Sequence, residues 1–174
     1  RYAGAVPEYD VNNEMIHASY YAKRLGKDIR VKMFQWARAA DPKAILYVND
    51  YNIISGKDGP RYVKHIEGLI AGGAPVGGIG VQGHFARRVN TAHVKKTLDS
   101  LAKFKLPIKV TEFDINTTDE AAKAADIVAF YRTCFAHPSV EGILMWGFWE
   151  GRHWRPKAAL WKRDFTPTPA AIAY

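Results

Sequence analysis

The sequence predicts an α/β fold in which helices cover a parallel sheet. Three observations predict it. First, strand-like and helix-like segments alternate about five times along the 174 residues, at roughly 30 to 35 residues per unit, the size of a βαβ repeat. Second, G-x-G-x-x-G occurs only inside the strand-like run 77–85, as Gly78, Gly80 and Gly83, and not as a strand-to-helix loop, and no G-x-x-x-x-G-K-S/T occurs, which argues against a nucleotide-binding doubly wound sheet. Third, each strand-like segment keeps its polar residues at its carboxyl end, where (β/α)8 barrels keep their sites. Five units are fewer than eight, and a complete barrel takes about 250 residues, at least about 200. The expectation is therefore a (β/α)8 TIM barrel of which this chain supplies strands four to eight, as one partial domain over 1–174. An open half-barrel leaves edge strands and apolar surface uncovered. The remaining strands are expected from another segment or a second chain.

The elements follow in order. "EYDVNNE" (8–14) starts as a strand and ends polar. Ile29, Met33, Trp36, Ala37 and Ala40 share the stripe of one helix, with Trp36 expected in the core. "AILYVND" (44–50) is a buried strand with a polar end. Tyr62, Ile66, Leu69 and Ile70 mark a second helix, closed by Gly72 and Gly73. "GGIGVQGHF" (77–85) is a glycine-rich strand ending in Gln82 and His84. Val94, Leu98 and Leu101 mark a third helix, and "LPIKVTEFDI" (106–115) the next strand. Thr118 or Asp119 caps a fourth helix with the face Ile127, Tyr131, Cys134 and Phe135. "VEGILMWGFWE" (140–150) is the fifth strand, and Pro169 opens a last helix.

Composition narrows the function. An apolar fraction of 48% excludes general disorder. Aromatics reach 13%, with five Trp, which suits flat ligands such as sugar rings. The net charge is +8, but the Lys and Arg residues are dispersed and no nucleic-acid motif occurs, so they read as a solvated basic surface. No stretch is apolar and long enough to span a membrane. Cys134 is alone among apolar residues and reads as packing, not as a nucleophile. No His/Cys/Asp cluster has ligand spacing, so no metal and no cofactor is expected. The chain opens abruptly at "RYAGAVPEYD", which suggests a processed or truncated start.

Charge inside "VTEFDI" (110–115) costs several kcal/mol unless it is paired or used. Glu112 lies there, and Glu14 closes an earlier strand-like segment. Two carboxyl groups across a cleft are the minimal kit for glycoside hydrolysis. From spacing alone, each could equally be a strand-end residue meeting solvent or an arginine.

The local words go further. "DVNNE", "LYVNDYN", "GGIGVQGH", "VTEFDI" and "GILMWGFWE" occur in the order seen in glycoside hydrolase family 10. From Tyr9 to about Phe165 the chain resembles the carboxyl-terminal part of that family's endo-1,4-β-xylanases. The resemblance implies retaining hydrolysis of xylan, with Glu14 as acid/base and Glu112 as nucleophile. It implies that His84 donates to Glu112 and that Asp114 orients His84. By the same likeness Asn13 meets the 2-hydroxyl of the sugar at the cleavage point, Gln82 lies near that point, and Tyr51 lines the aglycone side. Trp146 and Trp154 wall the cleft; Trp149 is left between cleft and packing. Retention requires the two carboxyl groups to stand about 5 to 5.5 Å apart. The family's glycone-binding residues on strands two and three have no counterpart here, so the activity of the isolated chain stays open. The alternative is a non-catalytic glycan-binding partial barrel. The expected partner is xylan or xylo-oligosaccharides, without nucleic acid or membrane, in a secreted or periplasmic setting.

Overall fold

A computed structural model describes residues 2–174. Five strands form one sheet: β1 (Glu8–Asp10), β2 (Ile45–Asp50), β3 (Gly78–Phe85), β4 (Ile108–Ile115) and β5 (Val140–Met145). All pairings are parallel and the spatial order is β1-β2-β3-β4-β5. A doubly wound sheet reverses its strand order at a switch point. This one never reverses, as a barrel wall requires. Helices α1 (Tyr20–Leu25), α2 (Ile29–Ala40), α3 (Gly59–Ala71), α4 (Thr91–Ala102), α5 (Glu120–Phe135) and α6 (Pro169–Ala173) complete the chain, with a 3-10 turn at Pro156–Ala158. No described helix is long and apolar enough to cross a membrane.

The core lies between sheet and helices. Leu46, Val48, Ile79, Val81, Ile108 and Val110 point outward from the strands. They meet Phe34 of α2, Tyr62, Ile66 and Leu69 of α3, Leu98 of α4 and Phe130 of α5, all buried. Phe113 stacks on Phe130 with centroids 4.3 Å apart. Asp119 caps α5 through the Ala122 N–H, and Asn90 caps α4 through the His93 N–H. Cys134 is fully buried, and burial pushes its thiol up to about 12.

The opposite face is concave. In a flat sheet β1 and β4 would stand about 14 Å apart. Yet Lys109 of β4 pairs with Glu8 of β1, so the sheet curls toward itself. The glycines of β3 allow it. A Cβ on Gly78 would fall 2.4 Å from the Tyr47 ring, and one on Gly80 would fall 2.6 Å from the Asn49 side chain. Two side chains of β2 therefore occupy the space that β3 leaves empty.

Several sequence expectations need correction. The strand expected over 8–14 stops at Asp10, because Asn12 and Glu14 adopt left-handed backbone angles that no strand accommodates. The strand expected over 140–150 stops at Met145, and Gly147 at φ 81° turns the chain away. Trp36 is 59% exposed rather than core. The buried stripe of α2 centres on Phe34, which carries Trp36 round to the solvent edge. Phe135 and Ile70, both expected on buried faces, are exposed for the same reason at the ends of α5 and α3. Helix α1, not expected, buries no residue and so leaves no periodic signal.

Candidate active site

The carboxyl ends of the strands open into a cavity of about 590 Å³. Glu14, Tyr51, Gln82, His84, Glu112, Trp146 and Trp154 all contribute to its wall. Asp114 is buried behind it, and Asn13 is exposed and lines an adjoining cavity of about 360 Å³ that shares Glu112 and Trp146. All five strands thus deliver side chains to one space, each from its end or the loop that follows.

Glu112 reaches this space through a defect in β4. Val81 pairs with Val110 and Gln82 with Glu112, so Thr111 has no opposite residue on β3. This is a β-bulge. Strand alternation would send Glu112 outward with Val110 and Ile108. The extra residue resets the phase, so Thr111 and Glu112 both face inward while Phe113 returns to the core. Asn49 ties the bulge down. Its Oδ1 accepts from the Thr111 hydroxyl at 2.8 Å, and its Nδ2 donates to Asn13 Oδ1 at 2.9 Å. One buried amide therefore links the segments that carry Glu112 and Glu14.

Glu14 sits at φ 63°, a left-handed angle that costs a non-glycine residue roughly 1–2 kcal/mol. Its N–H donates to the Asn49 carbonyl at 2.9 Å, and its own carbonyl accepts from the Ala18 N–H at 2.6 Å. Its Oε1 accepts from Gln82 Nε2 at 3.0 Å and lies 3.5 Å from Asn13 Nδ2. The strained turn is what points the carboxylate into the cavity.

Glu112 is 8% exposed. His84 Nε2 lies 3.1 Å from its Oε2. On the other side, His84 Nδ1 lies 3.0 Å from Asp114 Oδ2, an ion-pair contact without the alignment of a full hydrogen bond. Burial alone would disfavour a charged imidazole. The carboxylates of Asp114 and Glu112 outweigh it and raise the His84 pKa from 6.5 to about 9. Imidazolium is thus the resident form at neutral pH. Asp114 is held in turn by Trp154, whose Nε1–H donates to Oδ2 at 2.7 Å. Trp154 packs edge-on to His84 at 4.9 Å, and Trp146 does so at 6.4 Å. Both indoles are about half exposed, offering flat apolar faces to the cavity. Trp149 is not part of it: it stacks on Phe165 and donates to the Arg163 carbonyl.

Three supports carried no signal in the sequence. His17 stacks on Tyr51 at 3.8 Å and bridges Asp50, at 2.5 Å, and Asp58, at 3.3 Å. Burial raises the Asp50 pKa, and the His17 contact opposes that. The Arg155 guanidinium lies over Trp154 at 4.0 Å. Lys123 is 1% exposed, and its ammonium donates to Glu120 and to the Lys157 carbonyl, both at 2.7 Å. It anchors the loop that carries Trp154 to α5. Among the described residues no group of His, Cys, Asp and Glu could hold a metal ion.

The profile of "Glycosyl hydrolase family 10" matches residues 1–174. Endo-1,4-beta-xylanase 1 of Arabidopsis thaliana is 48% identical over 154 residues, covering 86% of this chain and 16% of that protein. Anti-sigma-I factor RsgI6 of Acetivibrio thermocellus is 45% identical over 158 residues, covering 91% of this chain and 21% of that protein. Xylanase 10B of Thermotoga petrophila, solved with xylobiose, superposes with a TM-score of 0.89 at 30% identity, over 99% of this chain and 59% of that one. The chain thus spans about a fifth or less of these two curated relatives and about three fifths of the solved barrel.

Proposed function

This chain belongs to glycosyl hydrolase family 10, and from that premise we propose that it carries the cleavage site of a retaining endo-1,4-β-xylanase. One observation supports this most: Glu14 and Glu112 line the same indole-walled cavity, with a histidine held against Glu112 alone. A pair of carboxyl groups with different neighbours suits two different roles.

In this reading a xylan chain lies across the rim with a sugar ring against Trp146 or Trp154. Glu14 gives its proton to the glycosidic oxygen as the bond from that oxygen to the anomeric carbon breaks. Glu112 bonds to the same carbon, forming a glycosyl-enzyme ester. A water molecule then loses a proton to Glu14, and its oxygen displaces Glu112. Glu112 must begin as an anion, and the His84 imidazolium is the donor that holds its carboxylate. Gln82 fixes the Glu14 carboxyl through both steps. Tyr51, braced by His17, is a platform for the leaving part of the chain.

A second reading, glycan binding without turnover, is favoured by one comparison. A relative 45% identical is named as an anti-sigma factor and not as a hydrolase. One experiment separates the two. The protein and its Glu14→Ala and Glu112→Ala variants are assayed on xylan and titrated with xylo-oligosaccharides. Turnover by the unmodified protein, lost in Glu112→Ala by at least about a thousandfold with binding retained, is the expected result. Binding with no turnover in the unmodified protein selects the second reading.

A further inference from the structure

Beyond Asn52 and Ser55 the candidate active-site cavity continues into a second one of about 570 Å³. Both share Asn52, Ser55, His84 and Ala86 in their walls. The second cavity is built by the loop after β2, which brings Lys57, and the loop after β3, which brings Arg87 and Arg88. The amino end of α4, at Asn90 and His93, closes it. No aspartate or glutamate lines it.

The cations differ in availability. Arg88 is neutralised, because its Nε and one terminal nitrogen bind the two oxygens of Asp126 at 2.9 and 2.8 Å. Lys57 and Arg87 are exposed, and neither pairs with a described residue. Two unpaired cations and the positive end of a twelve-residue helix therefore face one groove with no counter-charge. A neutral sugar chain gains nothing from that field. A carboxylate does, and the planar fork of an arginine matches its two oxygens.

We propose that this groove is an anion subsite that takes the carboxylate of a uronic acid branch on the xylan backbone, with Lys57 and Arg87 as its charged contacts. The inference rests on the xylan reading, which seats the backbone in the neighbouring cavity. The branch would extend past Asn52 and Ser55 while the backbone lies against the indoles. Because both cations are exposed, the gain is modest and salt-sensitive.

The test is calorimetric titration of the Glu112→Ala protein, which keeps its ligands intact, and of the same protein carrying Lys57→Gln and Arg87→Gln. Three ligands share one backbone: plain xylopentaose, xylopentaose with a glucuronic acid branch, and that branched ligand with its carboxyl reduced to the neutral alcohol. The acidic ligand should bind about fivefold more tightly than its reduced form at low salt, and the preference should vanish at ~0.5 M salt. The double substitution should abolish the preference and leave plain xylopentaose unaffected. Equal binding of the acidic and reduced ligands overturns the proposal, as does a preference that survives the double substitution. If plain xylopentaose binds neither protein, the xylan reading fails and the subsite falls with it.

Discussion

Two histidines in this molecule are each clamped between two carboxylates, and only one of them faces the candidate chemistry. His84 lies between Glu112 and Asp114; His17 lies between Asp50 and Asp58. The difference lies in the carboxylates. Asp50 is saturated: its oxygens accept from the backbone N–H groups of Ile16 and Tyr51 as well as from His17. Asp58 accepts from Asn52 and His17 through one oxygen, and neither it nor Asp50 lines the cavity. Glu112 accepts from His84 through one oxygen, and among the described residues its other oxygen has no hydrogen-bond partner and borders the cavity. A histidine between carboxylates that line no part of the cavity holds a loop in place. A histidine beside a carboxylate with an oxygen to spare can govern a reaction.

Substitution of the two histidines is the strongest way to break this contrast. His84→Ala should reduce xylan turnover about a hundred- to thousandfold, the usual cost of removing one donor from a reacting oxygen. His17→Ala should leave kcat within a few-fold and raise KM, since it acts through the Tyr51 platform. Steady-state kinetics on both variants checks this, and equal losses of kcat would erase the distinction.

The second prediction concerns the outer support of the His84 clamp. Lys123→Met removes a buried ammonium and strands the Lys157 carbonyl and Glu120. Denaturant unfolding should show a loss of about 2–4 kcal/mol. KM should rise as the Trp154 loop loosens.

The third prediction is a pH dependence. The His84 pKa is raised on folding, from 6.5 to about 9. Its contribution to stability is therefore complete below about 6.5 and is lost as pH rises through about 9. Melting temperature should decline across that window, and His84→Gln should flatten the decline. A decline of equal size in the variant would assign it to another group.

The smallest effect separates the indoles. Trp154→Phe deletes the donor to Asp114 and should weaken xylo-oligosaccharide binding several-fold, as loss of a single hydrogen bond does. Trp149→Phe should leave binding unchanged, because Trp149 stacks on Phe165 away from the cavity.

Much of the fold was legible because parallel strands buried on both faces read as short apolar runs. The strands at 44–50, 77–85 and 106–115 are present with nearly those bounds. The segment at 8–14 misled because strand propensity says nothing about a left-handed turn at Glu14. The stripe on α2 misled because periodicity tells which residues share a face but not which neighbour meets it. At the site, the sequence named the residues with obvious chemistry, Glu14, His84 and Glu112. It could not show His17, whose two carboxylates lie 33 and 41 residues away, or the bond from Lys123 to the Lys157 carbonyl 34 residues away. The bulge at Thr111 was equally hidden, since an extra residue in a strand leaves composition unchanged.

That bulge makes the site sensitive to counting as much as to chemistry. Below Thr111 the strand keeps one phase and above it the opposite phase, much as a reading frame changes at an inserted base. Removing any single residue between Val110 and Phe113 would leave a plausible apolar strand. It would also swap which side chains meet the helices and which meet the ligand on one half of β4. Lineages of this fold should therefore tolerate substitutions in β4 far more readily than one-residue insertions or deletions there, while the neighbouring loops take both.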